Sequence, residues 1–303
     1  MNYEIDFVNA LFKNSIYFLD EAINSINCGV SNQKNMTLAI INMQISLELA
    51  LKSSLANHFG LRKILVEKQT NLSEDELQRL FEENGLKIKE YDSLKNFIKT
   101  SEGNIPAYNF KKSQYKYMER FQKYRNQILH SLYIFGEDEI KQMERDLLYV
   151  FIHVIGVLLS DRTDYEYRSF VQEHLSTEVY SKLLRNSLYN DEFQSFLQEE
   201  YDKLYMCPIC GTNTLTPYKV CARCLTDFDM PSVYAFVKCG NCREEMVIFD
   251  ALNIEINNNY MHGVCLNCGE DTMVYKCPKC HNYVNSELFD LENCHEDFCK
   301  WDE

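Results

Sequence analysis

The sequence predicts a mainly α-helical chain in which a helical bundle is followed by a small cysteine-rich region of short β-hairpins. Glycine and proline are scarce, at 10 and 5 of 303 residues, which favours long helices over turn-rich sheets. Apolar side chains recur at three- and four-residue spacing in the first half, as on amphipathic helices. Twelve of the 13 cysteines lie in the last third. We therefore expect a bundle (1–160), a helical bridge (161–205) and the cysteine-rich region (206–303).

The first two helices are predicted over residues 1–27 and 32–59. Apolar residues mark one face of the first, which indicates an amphipathic helix. The second is apolar almost all round, which predicts a central position in an antiparallel bundle. Within it, Glu48 and Lys52 are four residues apart and could form an ion pair. A short helix then opens with the capping-box sequence Ser73–Leu77.

The third and fourth long helices are predicted over 111–135 and 137–160. Three acidic residues open the fourth, where the helix dipole favours negative charge. It carries the most apolar run, Leu147–Leu159, whose 13 residues are too few to span a bilayer and indicate a buried helix. Because Glu4 and Asp6 stand where an export signal would be basic, we expect a cytoplasmic protein without membrane contact.

The third predicted helix carries a local excess of positive charge. The chain as a whole has a formal net charge of −14, which argues against sequence-independent coating of nucleic acid. Between Lys111 and Arg125, however, six cationic residues accompany one acid, Glu119. Distant surface charges are screened within about 10 Å, so such a patch can still attract a phosphodiester.

The hexapeptide RNQILH, Arg125–His130, ends this basic run. Asn126 and His130 share one face of an ideal helix, whereas Arg125 lies about 140° away from His130. A single copy therefore makes a poor pocket. The geometry favours a homodimer in which two copies of this helix meet across a two-fold axis.

The same three side chains suit cleavage of RNA by its own 2′-hydroxyl group. The imidazole of His130 can transfer protons at neutral pH, and the guanidinium of Arg125 can bind two phosphoryl oxygens as negative charge develops. The carboxamide of Asn126 could position the phosphate or orient His130. No metal ion is required because the nucleophile belongs to the substrate. The alternative interpretation is a helix-surface arginine and a histidine satisfied in the core.

The motif Arg125-Asn126-(three residues)-His130, preceded by ISLELALKSSL at Ile45–Leu55, resembles the HEPN family of helical ribonucleases. The resemblance covers the predicted bundle. It implies a four- or five-helix fold, homodimerisation through the motif helices and metal-independent RNA cleavage, in bacterial anti-phage defence or as a toxin. It also implies catalytic roles for Arg125 and His130, with Asn126 as the polar residue after the arginine and Glu48 as an acidic contributor.

The cysteine-rich region contains six closely spaced cysteine pairs. Five have the spacing C-x-x-C, and four residues separate the last pair. Two C-x-x-C turns can place four thiolates around a tetrahedral Zn²⁺ at about 2.3 Å, and such clusters in a reducing compartment indicate metal rather than disulfides. The predicted ligands are Cys207, Cys210, Cys221, Cys224, Cys239, Cys242, Cys265, Cys268, Cys277, Cys280, Cys294 and Cys299.

We expect about three zinc ions per chain, each held by two consecutive pairs. Other pairings are open, and His281 or His295 could replace a cysteine in the last site. Four protein ligands leave no open coordination position, so these sites are interpreted as structural rather than catalytic. A region this small and strand-poor would need the metal ions to fold.

Residues 201–303 carry 8 Lys and Arg against 16 Asp and Glu, which favours a protein-binding or sensing role over an RNA-binding one. The first functional hypothesis, from the hexapeptide, is an RNA endonuclease. Its cysteine-rich region would sense a trigger, target the enzyme or restrain its activity. The alternative is a non-catalytic binding or adaptor protein, a helical dimer that presents its zinc ribbons to a partner.

Overall fold

The computed structural model of the chain describes residues 3–26, 33–100, 110–130, 135–160, 171, 173–228 and 233–288. The chain divides into two compact units, residues 1–196 and 197–303. In its described residues the first unit is helical, and the second is built on antiparallel strands. A mainly α-helical chain with a smaller C-terminal β region, as the sequence predicts, is confirmed.

The long helices lie where the apolar spacing predicts them. In chain order the described helices are α1 (Tyr3–Ile26), α2 (Gln33–Phe59), α3 (Leu61–Ile64), α4 (Glu67–Thr70), α5 (Glu74–Glu82), α6 (Tyr91–Phe97), α7 (Lys112–His130), α8 (Glu137–Val150), α9 (Gly156–Ser160), α10 (Thr177–Leu183) and α11 (Ser187–Glu200). A π-helical turn, Phe151–Ile155, joins α8 to α9. The capping box at the start of α5 is confirmed: the amide of Ser73 donates to Glu76 Oε2 at 2.9 Å, and the amide of Glu76 donates to Ser73 Oγ at 3.4 Å.

Helices α1 and α2 form an antiparallel pair held by reciprocal hydrogen bonds. Ser15 Oγ donates to the carbonyl of Ser46 at 2.9 Å, and Ser46 Oγ donates to the carbonyl of Ser15 at 2.8 Å. Both serines are buried, and the carbonyl of the neighbouring helix satisfies each hydroxyl. Their small side chains permit close approach of the two helices. Helix α2 also packs on α7, α8 and α9, which confirms the central position predicted for it.

Helices α7 and α8 are antiparallel neighbours. Near the start of α7, Gln114 Nε2 donates to the carbonyl of His153 at 2.7 Å, and further along it Arg120 meets Asp146. The run Leu147–Leu159 is largely buried, as predicted. Among the described helices, none combines the length and the apolar character that crossing a bilayer requires.

The second unit contains more strand than the short hairpins that the sequence predicts. The strands are β1 (Tyr205–Met206), β2 (Asn213–Leu215), β3 (Tyr234–Val237), β4 (Val247–Asp250), β5 (Tyr260–Cys265), β6 (Asp271–Lys276) and β7 (Tyr283–Asn285). Strands β1 and β2 form a hairpin, and β3 to β7 form one antiparallel sheet in chain order. The expectation of a strand-poor region is therefore wrong.

The five-stranded sheet curls until its edge strands, β3 and β7, approach each other. Asn285 is buried at this seam, where its Nδ2 donates to the carbonyl of Lys238 at 3.2 Å and its Oδ1 accepts from Thr272 Oγ1 at 2.8 Å. Gly263 permits the curl, because a Cβ there would lie 2.8 Å from Val247 Cγ1. At the seam, the hydrogen bonds of the buried Asn285 side chain thus replace pairing between β3 and β7. Gly263, which has no side chain, leaves the space that the curl needs.

Candidate functional site

The hexapeptide Arg125–His130 forms the last turns of α7. Arg125, Asn126 and His130 are all exposed, so His130 is not a core histidine. Arg125 Nη1 donates to Asn126 Oδ1 at 3.1 Å, which fixes the guanidinium beside the carboxamide. Within the described chain, no hydrogen bond joins either side chain to His130. The structure brings Arg125 and Asn126 together and leaves the imidazole one turn away.

The side of α7 that is buried at mid-helix is open at its C-terminal end. Met118 and Phe121 are fully buried. By the 3.6-residue period, Arg125 and Leu129 continue the side on which Met118 lies. Arg125 is nevertheless exposed, and Leu129 is 49% exposed. The side of α7 that packs in the core at Met118 is therefore exposed to solvent in the last turns of the helix.

Glu48, the acidic residue predicted from α2, forms an ion pair with Lys52 at 2.5 Å. This is the i,i+4 pair that the sequence allows. Among the described residues, its hydrogen bonds and ion pairs include none with Arg125, Asn126 or His130. The structure therefore does not join Glu48 to the hexapeptide by direct contact.

Two charged residues of the basic run, one cation and the one acid, form ion pairs with residues that the sequence did not indicate. Arg120 Nη1 donates to both carboxylate oxygens of Asp146, each at 3.0 Å. Lys99 Nζ lies 3.0 Å from Glu119 Oε1. The partners are 26 and 20 residues apart in the chain, so no local pattern predicts either contact.

The cysteines brought together in the second unit form two groups of four. In each group all four sulfur atoms lie within 4.8 Å of one another, so each group could hold a metal ion. The groups are Cys207, Cys210, Cys221 and Cys224, and Cys239, Cys242, Cys265 and Cys268. Consecutive pairs are combined, in the order that the sequence favours.

The sulfur spacing fits a tetrahedral metal ion. The closest sulfur–sulfur distances between the two turns of a group are 3.6 or 3.7 Å. A tetrahedron with metal–sulfur bonds of about 2.3 Å has edges of about 3.8 Å. A disulfide would place two sulfurs about 2.05 Å apart. These distances therefore match four thiolates around one ion and not two disulfides.

All five C-x-x-C turns share one backbone geometry. In each, the amide of the first cysteine donates to the carbonyl five residues later, and its carbonyl accepts from the amide four residues later, at 2.8–3.2 Å. The residues at that fourth position all have positive φ, between 59° and 75°; they are Gly211, Leu225, Arg243, Gly269 and His281. The turn at Cys277 and Cys280 thus has the geometry of the four turns that form the groups. Its predicted partners, Cys294 and Cys299, and the alternative ligand His295 lie outside the described residues.

Threonine hydroxyls lie beside the first cysteine group, and the cysteine spacing alone does not predict them. Thr212 Oγ1 lies 3.0 Å from Cys210 Sγ, and Thr226 Oγ1 lies 3.2 Å from Cys224 Sγ. Hydroxyl donors of this kind stabilise thiolate ligands and fix their orientation. A local signal was present, since the spacing C-x-x-C-x-T occurs in both turns of this group.

Without a cation, the sulfur atoms of one group favour different protonation states. The hydrogen bond from Cys221 lowers the pKa of Cys224 to about 4, and the same contact, together with burial, raises the pKa of Cys221. In the second group, burial raises the pKa of Cys265 to about 12. One thiol therefore holds its proton while its neighbour loses one. A divalent ion would remove this conflict by stabilising all four thiolates.

No protein-family model, curated protein or solved structure matches this chain. The resemblance to HEPN ribonucleases therefore stays a hypothesis carried by the motif residues.

Proposed function

We propose that the chain is a metal-independent RNA endonuclease that acts by 2′-hydroxyl transesterification at a site shared by two copies of α7. The observation that carries the proposal is the uncovered end of α7. There Arg125, Asn126 and His130 are exposed beside Leu129, a leucine that a second copy could cover. A symmetric contact would place two such motifs across one axis and supply the guanidinium–imidazole proximity that one helix lacks.

In the proposed reaction, His130 of one copy removes the proton of the 2′-hydroxyl, and the 2′-oxygen attacks the adjacent phosphorus. The bond from phosphorus to the 5′-oxygen breaks, that oxygen takes a proton from a water molecule, and the imidazolium gives its proton to the resulting hydroxide. Arg125 binds the phosphoryl oxygens as their charge increases, and Asn126 holds the guanidinium through the 3.1 Å contact. One phosphodiester yields a 2′,3′-cyclic phosphate end and a 5′-hydroxyl end.

The proposal is tested with a labelled RNA oligonucleotide and a matched oligonucleotide that is 2′-deoxy throughout. We expect cleavage of the RNA alone, with a cyclic phosphate on the 5′ fragment. Arg125→Ala and His130→Ala should each lower the rate at least about 100-fold. Lys87→Gln, an exposed substitution outside α7, serves as the control and should leave the rate unchanged. Unaltered cleavage by both α7 variants would rule out this site.

Glu48 enters the proposal as a supporting acid from α2. Because it is paired with Lys52 and makes no bond to the hexapeptide in the described chain, Glu48→Gln should lower the rate less than His130→Ala does. A loss as large as that of His130→Ala would give Glu48 a direct role.

We further propose that the two cysteine groups and the turn at Cys277 and Cys280 bind three structural zinc ions, the third with Cys294 and Cys299. The shared geometry of the five turns supports this assignment. Metal analysis of the purified protein should give about three zinc ions per chain and about two for Cys280→Ser. Cys28→Ser, outside the cysteine-rich region, should keep all of them. Full zinc content in Cys280→Ser would contradict the third site.

For the second unit we propose contact with a protein partner or trigger, in a defence or toxin role, rather than contact with RNA. Its acidic balance disfavours nucleic acid. Leu252 and Ile256 are exposed on the connection between β4 and β5, where an apolar contact could form. These residues also favour the second candidate function, a binding or adaptor protein. The RNA cleavage assay distinguishes it from the endonuclease.

A further inference from the structure

One face of α7 carries a straight row of polar and charged side chains from its first residue to its last. The row follows the helical spacing i, i+4, i+7, i+11, i+14 and i+18, which keeps its members within about 40° of one line. All of them are exposed; they are Lys112, Lys116, Glu119, Lys123, Asn126 and His130. We call this row the α7 stripe. It spans about 27 Å at 1.5 Å per residue.

The α7 stripe has a net positive charge, with three lysines against one glutamate, and that glutamate is paired with a lysine outside the stripe. Lys99 Nζ lies 3.0 Å from Glu119 Oε1. The hydrogen bond and charge of Lys99, with smaller contributions from other lysines including Lys123, lower the pKa of Glu119, so the carboxylate stays ionised and paired. Lys112, Lys116 and Lys123 form no ion pair with any described carboxylate. Three ammonium groups without an ion-pair partner among the described residues therefore precede Asn126 and His130.

The first half of the α7 stripe borders an open cleft of about 740 Å³. Its walls are formed by Lys112, Ser113, Tyr115 and Lys116 and by the ion pair of Lys99 with Glu119. The ammonium group of Lys99 lies 5.1 Å from the centre of the Tyr115 ring. Cations, a hydroxyl and an aromatic ring together are the groups that bind a nucleic-acid strand without reading its sequence.

We propose that the α7 stripe binds the sugar–phosphate backbone of single-stranded RNA and leads it to His130. The inference rests on the proposed function for what happens at His130, but not for the binding itself. One row of charges on one helix matches one row of phosphates. A strand with the stacked spacing of about 3.4 Å per nucleotide would lay about eight nucleotides along the stripe. An acidic peptide would complement the lysines too, but not the polar end at Asn126 and His130.

The test measures binding without cleavage. The probe is a fluorescein-labelled 2′-O-methyl oligonucleotide of twelve uridines, which has no 2′-hydroxyl to react, and anisotropy is followed from low to moderate salt. Each phosphate contact on a single strand contributes about 0.7 to the slope of log affinity against log salt. The variant K112Q/K116Q/K123Q should therefore bind more weakly, with a slope lower by about 2.

The matched control is K13Q/K68Q/K87Q, which removes the same charge from exposed positions outside α7. It should bind the probe like the wild type, and circular dichroism should show both variants folded. Wild-type affinity in the stripe variant, an equal loss in the control, or stronger competition by poly-glutamate than by RNA would each overturn the inference. Probe binding with the expected slope but no cleavage of RNA would overturn the proposed function and leave the stripe standing.

Discussion

The carboxylate of Asp146 organises the contact between α7 and α8. It is 1% exposed, and it accepts hydrogen bonds from Arg120 Nη1 at 3.0 Å, Tyr124 Oη at 2.7 Å and Gln142 Nε2 at 2.8 Å. A buried carboxylate is tolerated when its charge is paired and its lone pairs are filled. The hydrogen bond to Asp146 raises the pKa of Arg120, and burial with the same carboxylate raises the pKa of Tyr124, so both stay donors.

Asp146→Asn keeps the size of the side chain and removes the charge that Arg120 compensates. We expect a loss of about 2–4 kcal/mol in the free energy of unfolding of the helical unit, because the ion pair is broken and a partly buried guanidinium loses its partner. Denaturant unfolding followed by the helical circular dichroism signal measures it. Glu119→Gln makes the same chemical change in the exposed pair with Lys99 and should cost less than about 1 kcal/mol. Equal losses would mean that Asp146 has no special structural role.

The sequence predicts the charge of single residues better than their pairing. Arg120 and Lys123 are counted alike in the basic run, yet Arg120 is bound to a residue 26 positions away and Lys123 is exposed. Helical geometry separates them in part, since Arg120 lies about 80° from the line through Lys112. Helical geometry does not predict that Asp146 is the partner of Arg120, because the two residues meet only when α7 and α8 pack together.

Among the secondary-structure elements, the cysteine turns were predictable and the sheet was not. A C-x-x-C turn is local: two cysteines, one reversed backbone and a positive φ four residues after the first cysteine. The strands of the sheet have only three to six residues, too few for a clear alternation. Their curl depends on contacts among three strands at Gly263, Val247 and Val274, which no single segment reveals.

Gly263→Ala tests whether this glycine is needed for the curl of the sheet. The new Cβ would lie 2.8 Å from Val247 Cγ1, 3.1 Å from Val274 Cγ2 and 3.2 Å from the carbonyl of Ile248. Because backbone and branched side chains surround it, we expect a loss of about 1–3 kcal/mol in the zinc-loaded protein. Thermal unfolding measures it. His262→Thr, at the exposed neighbouring position, should change stability by less than about 1 kcal/mol. An alanine variant as stable as the wild type would show that the sheet can relax.

For the molecule as a whole, the α7 stripe limits how a homodimer can form. Two copies that met along Lys112, Lys116 and Lys123 would place like charges opposite one another, which is unfavourable. Leu129 lies about 100° from the line of the stripe by the helical period and is exposed. A contact confined to the last turns would bury Leu129 and bring two hexapeptides together. The lysines would then stay open to a strand of RNA, although the chain is acidic overall.

A shared site predicts that two inactive variants restore each other. Arg125→Ala retains His130, and His130→Ala retains Arg125, so a mixed dimer contains one intact pair if the guanidinium and the imidazole come from different copies. Random exchange of subunits makes half of the dimers mixed, each with one of two pairs intact, so about a quarter of the wild-type cleavage rate is expected. Native mass spectrometry confirms the mixing, and the RNA assay measures the rate. Mixed dimers without activity would show that Arg125 and His130 act within one chain and not across the dimer.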